Sequence, residues 1–472
     1  MMFWNRTATP AQADAIEKVH ESRRNFLKGL SLAGVGTAAL SAGLIADINA
    51  KHGVKAAEGE PIPVGGAVPI TGWAAADGIE FQRGLEMSAE EINKMGGILG
   101  RPLKTVFEDT KEQGADNIIP AIQRLIDRHK VHAIINGYNT GAVTAEYDTV
   151  ADAGIIYMHH NTDIVHHDTV GKNAERYFSI FMNDPAEYWY GEGLLKFLSG
   201  LADAGKWTPP NRKIAIVTGS QNYSVVIANA IRDNAQKYNW EISLYETVVV
   251  PISEWGPTLQ KIRNDPPACI AVTHWVPQDL AQFCIQFIPN PTKSLVYMQY
   301  GPSLAAFREI GKENTNGVLY STVVASLQDE IGNDFNTRYK QKFGASASPL
   351  AGAQAYDPTF MWAMASAMAG GSGGPGEIEQ NKKVAGFLRR MIYRGTLGTT
   401  KYFLPEQAAI PYPDATKDPS LGMPHLFYQV QEVSPVRALI GPTPYQTGSF
   451  KIPAWFKDNG GLPQIGKPDG PP

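Results

Sequence analysis

The strongest constraint on the fold is an alternation of strand-like apolar runs with helix-like amphipathic runs. The apolar segment Ile62–Ile70 predicts a buried strand, and Phe81, Leu85, Ala89 and Ile92 then recur at the spacing of one helix face. The pattern continues as strand, helix, strand, helix and strand over Leu103–Phe107, Ala115–Arg128, Val131–Asn136, Gly141–Ala153 and Ile155–Met158. Such alternation places crossover helices between parallel strands, so it predicts a doubly wound α/β sheet.

The same alternation restarts after Asn183-Asp184-Pro185. The predicted strands are Ile214–Thr218, Ile242–Val250, Cys269–Thr273 and Leu295–Gln299, and the predicted helices between them are Val225–Tyr238, Thr258–Arg263 and Asp279–Ile288. We therefore expect two Rossmann-like α/β lobes joined by a hinge, with a cleft between them. Open α/β sheets bind ligands beyond the carboxyl ends of their strands, so the loops there are the candidate site.

The N-terminal segment has the features of an export signal. Ser22-Arg23-Arg24-Asn25-Phe26-Leu27-Lys28 precedes an uncharged run from Gly29 to Ala46, and together they resemble a twin-arginine signal. The alternative, an amphipathic surface helix, lacks a polar face in this run. We expect a leader over residues 1–56, the twin-arginine export machinery as a partner, and cleavage near Ile48-Asn49-Ala50 or Val54-Lys55-Ala56. No later apolar run reaches the roughly 18 residues of a membrane span, so we expect a periplasmic mature protein.

Composition excludes several classes of protein. The chain has 42 Lys and Arg against 46 Asp and Glu, a net charge of −4, so it lacks the basic excess of a nucleic-acid binder. Cys269 and Cys284 are too few for a thiolate zinc site or an iron–sulfur cluster, and we expect separate buried thiols, with one disulfide as the alternative. No metalloprotease helix or Walker loop occurs, and no cofactor is expected.

Short motifs recur along most of the chain: Pro69-Ile70-Thr71-Gly72, Glu91-Ile92-Asn93, Gly96-Gly97-Ile98-Leu99-Gly100-Arg101-Pro102-Leu103, Glu108-Asp109-Thr110, Leu125-Ile126, Val131-His132-Ala133-Ile134-Ile135-Asn136-Gly137 and Tyr356-Asp357. Together they resemble the motifs of one family, the type I periplasmic binding proteins of branched-chain amino acid and amide ABC transporters. The resemblance implies a first lobe over 57–182 and 323–425 and a second lobe over 183–322, to which the segment 426–472 returns. It also implies a non-enzymatic protein that delivers a small solute to a membrane permease with a cytoplasmic ATPase.

The resemblance also implies which residues of the first lobe hold the solute. Asn139 and Thr140 follow one strand, and His160 and Thr162 follow the next, where hydroxyls and helix-start N–H groups can hold a carboxylate or an amide. Capping of a helix is the alternative role for Asn or Thr at such positions. Trp73 is expected to cover one face of the solute, or else to pack on its own lobe.

In the second lobe the resemblance points to Tyr223, His274, Trp275 and Gln278. Amino-acid binders of the family have a carboxylate for the ligand ammonium where this chain has Gln278, and a neutral amide there loses a charge-assisted hydrogen bond of about 1.5–3 kcal/mol. Either another acid such as Asp77 supplies the charge, or the solute is not an α-amino acid. For Tyr223 and Asp77, a role at the start of a helix is the alternative.

Three other functions stay open at this point. A ligand sensor on the same scaffold would use the same cleft. A metal site is the second, because four of the ten histidines lie in residues 159–167; we expect instead a polar surface loop there. An enzyme is the third, and it would need a constellation that no motif reveals.

Overall fold

The computed structural model describes residues 37–142, 144–431 and 437–456, with side chains from residue 43 onward except that of Thr140. The twin-arginine motif at 22–28 lies outside the described residues. The predicted two-lobed α/β architecture is confirmed: the two large sheets have five and seven strands. Of the helices that the structure describes, none combines the length and the apolar character needed to cross a bilayer.

The sheet of the first lobe is entirely parallel, in the order β2-β1-β3-β4-β5. Its strands are β1 (Ile62–Val68), β2 (Leu103–Asp109), β3 (Ala133–Ile135), β4 (Ile156–His159) and β5 (Ile180–Met182). The helices of this part of the chain are α1 (Thr37–Lys51), α2 (Ala75–Lys94), α3 (Ala115–Asp127), α4 (Tyr147–Ala153) and α5 (Ile164–Lys172). The predicted helix over 141–153 is shorter than expected, because a 3-10 turn at Thr140–Ala142 precedes α4 and the Gly141 backbone passes directly over Gln113.

The sheet of the second lobe has the order β16-β15-β10-β9-β8-β6-β7, and β15 is antiparallel to both of its neighbours. Its strands are β6 (Lys213–Gly219), β7 (Glu241–Val248), β8 (Cys269–Val272), β9 (Leu295–Gln299), β10 (Leu319–Thr322), β15 (Leu426–Gln429) and β16 (Ala438–Gly441). Its helices are α6 (Tyr188–Asp203), α7 (Asn222–Asn234), α8 (Gly256–Asn264), α9 (Pro277–Phe287) and α10 (Ala305–Gly311). Cys269 and Cys284 are free and buried in this lobe.

Later segments of the chain complete the first lobe. These are α11 (Glu330–Phe343), α12 (Pro349–Met368) and α13 (Ile378–Arg390), followed by the hairpin of β11 (Tyr393–Gly395) and β12 (Gly398–Thr400) and the pair β13 (Pro411–Tyr412) and β14 (Met423–Pro424). Helix α12 is buried on every side and packs in the core against α2. The two backbones meet at Gly84 and Gly352, where a Cβ on Gly84 would lie 2.0 Å from the Gly352 carbonyl oxygen.

Helix α1 falls inside the predicted leader, yet it packs on the first lobe. Ile45 is fully buried, and the Asn49 amide donates to the carbonyls of Met95 at 2.8 Å and Gly97 at 3.0 Å. Asn49 Oδ1 also accepts from the Leu99 N–H at 3.1 Å. These contacts do not test where the leader is cleaved, so the cleavage site stays a prediction.

Candidate functional site

The carboxyl-end loops of the two sheets contact each other between the lobes. Trp73, which follows β1, and Trp275, which follows β8, have ring centroids 5.7 Å apart at an interplanar angle of 46°. Trp73 is 51% exposed, and its indole N–H points to the Glu112 carbonyl at 3.4 Å. Trp275 donates to Gln221 Oε1 at 2.8 Å. The two tryptophans therefore meet at the rim of the interlobe cleft and do not pack only on their own lobes.

An acid and two tyrosines lie next to this tryptophan pair. Asp77, in the first turn of α2, accepts a short hydrogen bond from the Tyr138 hydroxyl, and Tyr138 follows β3. Burial raises the pKa of Asp77 and, together with Asp77 itself, raises the pKa of Tyr138 well above 10. Tyr300, which follows β9 in the other lobe, is close enough to Asp77 for the carboxylate to add to the effect of burial on its pKa. Asp77 therefore faces both lobes.

Two non-glycine residues that follow strands have positive φ angles. Tyr300 has φ of 49°, and Thr162 has φ of 56°. Residues other than glycine in this region cost of the order of 1–3 kcal/mol, and they concentrate at functional sites. Both loops are held in these unfavourable conformations by the surrounding fold.

The floor of the first lobe contains buried acids and neutral histidines. The Thr162 hydroxyl donates a short hydrogen bond to Asp184 Oδ2, and Asp184 Oδ1 has no partner among the described residues. Burial raises the pKa of Asp184 to about 7 and lowers the pKa of His160 to about 3. Neither ring nitrogen of His160 has a hydrogen-bond partner in the described part of the chain. His160 and Thr162 thus lie together in a dry region that disfavours charge.

The loop after β3 is tied to the sheet through Asn139. Its side chain is fully buried and donates to the Ala67 carbonyl at 2.9 Å, while its backbone N–H donates to Asn161 Oδ1 at 2.8 Å. This placement orders the loop. The side chain of Thr140 lies outside the described residues, so contact of Asn139 or Thr140 with a solute stays a prediction.

The second lobe contributes a set of tyrosines. Tyr223, in the first turn of α7, accepts from Gln299 Nε2 at 2.9 Å, and its ring centroid lies 6.2 Å from that of Tyr190. Tyr190, from α6, accepts from the Val323 N–H at 3.0 Å, and burial raises its pKa to about 12. Tyr223 therefore has a specific polar partner within its own lobe.

His274 and Gln278 lie apart from this set. His274 is fully buried, and its Nε2 lies 2.9 Å from Asp279 Oδ2, which ties the loop after β8 to the start of α9. Burial lowers the pKa of His274, and Asp279 opposes that effect. Gln278 is exposed and lines a groove of about 230 Å³ with Ile252 and Gln282 of the same lobe. A role for Gln278 at a ligand ammonium stays a prediction.

The histidine-rich segment is not the polar surface loop that we expected. His159, His160 and His166 are all buried. The Tyr147 hydroxyl lies 2.8 Å from His159 Nε2 and 2.7 Å from His166 Nδ1, so two of these three rings have a polar partner inside the lobe. Across the described residues, no group of three or more His, Cys, Asp or Glu side chains is arranged to hold a metal ion.

Sequence reasoning missed Tyr138, Asp184, Tyr190 and Tyr300 as site residues. Tyr138, Asp184 and Tyr300 lie within three residues after a strand of the first or second sheet. The rule that ligands bind at carboxyl ends of strands could have found these three. Tyr190 lies in the crossover helix α6, and no local pattern marks it.

Comparisons with known proteins agree with this geometry. The family model described as periplasmic binding protein matches residues 61–411. A crystal structure described as a branched-chain amino acid ABC transporter of Silicibacter pomeroyi is 51% identical, has a TM-score of 0.82, and is matched over 84% of this chain and 100% of that one. A substrate-binding protein of Streptococcus pneumoniae in complex with isoleucine shares the fold at 17% identity and a TM-score of 0.62, over 81% of this chain and 100% of that one.

Curated relatives match over a shorter range. The Leu/Ile/Val-binding protein homolog 8 of Brucella abortus is 29% identical over 175 residues, which are 37% of this chain and 42% of that relative. The chain thus spans less than half of the length of this relative. The family model, by contrast, covers about three quarters of the chain, and the parallel sheets, the two lobes and the meeting of their strand ends accord with it. The chain belongs to the periplasmic binding protein family.

Proposed function

We propose that the protein is the periplasmic solute-binding component of an ABC importer, exported by the twin-arginine machinery. It captures an amino acid, amide or urea-like molecule by closure of its lobes and delivers it to a membrane permease with a cytoplasmic ATPase. The observation that carries this proposal is the contact between the two strand-end surfaces: Trp73, Asp77 and Tyr138 of one lobe against Trp275 and Tyr300 of the other.

The chemistry of this surface suits a small polar solute. It offers hydroxyl groups, one partly buried carboxylate and aromatic faces, which together can orient a molecule with both polar and apolar parts. A solute that contacts both lobes stabilises the closed form, because only that form makes all of the contacts.

A solute screen tests the proposal directly. The mature protein is scanned by thermal shift against amino acids, amides, urea and aromatic acids, and the best solute is followed by calorimetry and by small-angle X-ray scattering. A solute present at 100 times its Kd adds about 2.7 kcal/mol to the free energy of unfolding, so we expect a higher Tm. Because the solute closes the lobes, we also expect a smaller radius of gyration. If no solute raises the Tm, or if the bound and free dimensions are equal, the proposal is wrong.

A further inference from the structure

A surface cavity of about 360 Å³ lies where the chain passes from the first lobe into the second. Its wall comes from helix α5 of the first lobe, from the first turn of α6 in the second lobe, and from the segment that follows β12. All the lining residues are only partly buried; they are Ile164, His167, Tyr188, Trp189, Phe403 and Glu406. The cavity is therefore open to solvent, and none of its residues is among the cleft contacts described above.

Aromatic rings in two orientations form most of the wall. The rings of Trp189 and Phe403 are nearly parallel, at an interplanar angle of 13°, and their centroids are 6.2 Å apart. The Tyr188 ring stands at 84° to that of Trp189, and the centroid of the His167 ring lies 5.7 Å from that of Phe403. The face of an aromatic ring is electronegative, so a wall of such rings favours a cation that has an apolar surface.

The carboxylate of Glu406 adds a full negative charge to this wall. The backbone carbonyl of Glu406 lies 2.8 Å from His166 Nε2, and a Cβ on Gly171 of α5 would lie 3.2 Å from Glu406 Cγ. These contacts hold Glu406 against α5. Burial lowers the pKa of His167, and Glu406 opposes that effect. The imidazole of His167 is therefore neutral at pH 7 and supplies no counter-charge.

The negative charge of the wall has no cationic partner within the cavity. No Lys or Arg occurs among the described residues that line it. Lys196 Nζ lies 5.9 Å from the centroid of the Trp189 ring, but it is 3.6 Å from Glu192 Oε1 and donates to the Asp414 carbonyl at 2.5 Å. Lys196 thus places an ammonium over one of these rings, while its charge is already paired with Glu192.

We propose that this cavity is a second ligand site, distinct from the interlobe cleft, and that it binds a small organic ammonium ion. The alkyl groups of the ion contact the aromatic rings, and its charge faces Glu406. Cation–π attraction and the carboxylate act together on such an ion, whereas a neutral molecule of the same shape gains only the apolar contacts. This inference goes beyond the proposed function and does not rest on it.

Choline and 3,3-dimethylbutan-1-ol test the role of charge, because they have the same shape and differ only in the cationic nitrogen. The mature protein is labelled with 5-fluorotryptophan, and the ¹⁹F NMR signals of Trp189, Trp73 and Trp275 are assigned through Trp189→Phe, Trp73→Phe and Trp275→Phe. We expect choline to shift the Trp189 signal in a saturable way, and the neutral alcohol to bind at least about 10-fold more weakly. Equal binding of the two compounds overturns the inference. A choline shift that is confined to Trp73 and Trp275, or no shift at all, also overturns it.

Three variants then test the wall itself, with the Tm of each showing that it is folded. Glu406→Gln keeps the size of the side chain and removes its charge, so it should weaken choline binding about 10-fold and binding of the alcohol less than about 2-fold. Phe403→Leu keeps an apolar side chain but removes a ring face, so it should weaken choline binding more than binding of the alcohol. Asp168→Asn is the matched control, because Asp168 is an exposed acid of α5 that does not line the cavity, and it should leave both affinities unchanged.

The outcome for Glu406→Gln decides whether the cavity recognises charge. If this variant binds choline as tightly as the wild type does, or loses affinity for choline and for the alcohol equally, the inference is wrong. Such a result would leave the proposed function standing, because the solute screen reports on closure of the lobes around the cleft. Conversely, failure of that screen would not alter the response of Trp189 to choline.

Discussion

Asp77 is the residue whose charge we expect to constrain the solute most. Its carboxylate accepts from Tyr138 and acts on Tyr300 across the cleft. Within the described residues, the side chains with the largest effects on its pKa are Tyr138 and Glu80, and neither is a cation. Removing a carboxylate from water without a positive partner is costly, and we therefore predict that an ammonium group of the solute is its counter-charge.

Asp77→Asn should weaken the binding of ammonium-bearing solutes about 10-fold or more, because a charge-assisted hydrogen bond is lost. Solutes without an ammonium should bind about as before. Calorimetry with each amino acid and its deaminated acid measures both effects. The exposed rim acid in Glu112→Gln is the matched control. Equal affinities for wild type and Asp77→Asn would remove Asp77 from the site.

Asp184 should make stability depend on pH. Burial raises its pKa from the ordinary value of 3.8 to about 7 in the folded protein, so between these pH values the folded state holds a proton that the unfolded state has lost. Its contribution to stability is fully present below pH 3.8 and is lost as the pH rises to 7. Between pH 4 and pH 8, the free energy of unfolding of Asp184→Asn should therefore rise relative to that of the wild type, by of the order of a few kcal/mol.

Urea unfolding at several pH values measures this difference, and Asp203→Asn, at an exposed acid, is the control. Other buried acids, such as Glu146 with a pKa of about 7, act equally on both proteins and cancel. If the free energies of unfolding of wild type and Asp184→Asn differ by the same amount at every pH tested, Asp184 has the same pKa in the folded and unfolded states.

At the scale of elements, helix α6 contains one glycine that is closely surrounded by protein atoms and another that has free space around it. A Cβ at Gly193 would collide with His425 and Asp414, whereas a Cβ at Gly200 would meet no atom within 4 Å. Gly193→Ala should lower the free energy of unfolding by about 1–3 kcal/mol through overpacking. Gly200→Ala should raise it by about 0.5–1 kcal/mol, because alanine favours the helix.

Denaturant unfolding of the two alanine variants gives both values in one experiment, with each variant serving as the control for the other. Because helix propensity acts alike at both sites, their difference isolates the packing around the Asp414–His425 pair. If Gly193→Ala proves as stable as Gly200→Ala, α6 does not pack tightly on this pair.

The elements themselves were largely predictable from local pattern. Strand β9 is found over the predicted Leu295–Gln299, and the glycines after α2, Gly96 and Gly97, have φ of 96° and 65°, as a left-handed end requires. The burial of His159 and His166 was not predictable, because the hydroxyl that satisfies both belongs to Tyr147, 12 and 19 residues away. The proximity of Tyr300 to Asp77 was not predictable for a similar reason, since Asp77 belongs to the other lobe.

At the scale of the whole molecule, the tryptophan pair is a direct contact between the two lobes. Trp73 and Trp275 contact each other across the rim with a tilted geometry, and aromatic pairs contribute about 0.5–1.5 kcal/mol beyond their buried area. Their contact therefore stabilises the arrangement in which the strand ends of the two lobes touch.

Trp73→Ala should shift the solute-free protein toward open forms and enlarge its radius of gyration in small-angle scattering, while a saturating solute restores the compact form. Val249→Ala, at a position 84% exposed, is the control. An unchanged radius of gyration in solute-free Trp73→Ala would mean that the tryptophan pair does not influence the equilibrium between the lobes.

Each lobe is assembled from two stretches of chain that are far apart in sequence. The first sheet ends at Met182, but the last helices that complete its core begin at Glu330. In the second sheet, β10 pairs with β15, and β15 pairs with β16, which ends at Gly441. During synthesis both lobes therefore stay incomplete until nearly the whole chain has left the ribosome. A product truncated before β15 would carry an open strand edge on β10, a recognised starting point for aggregation.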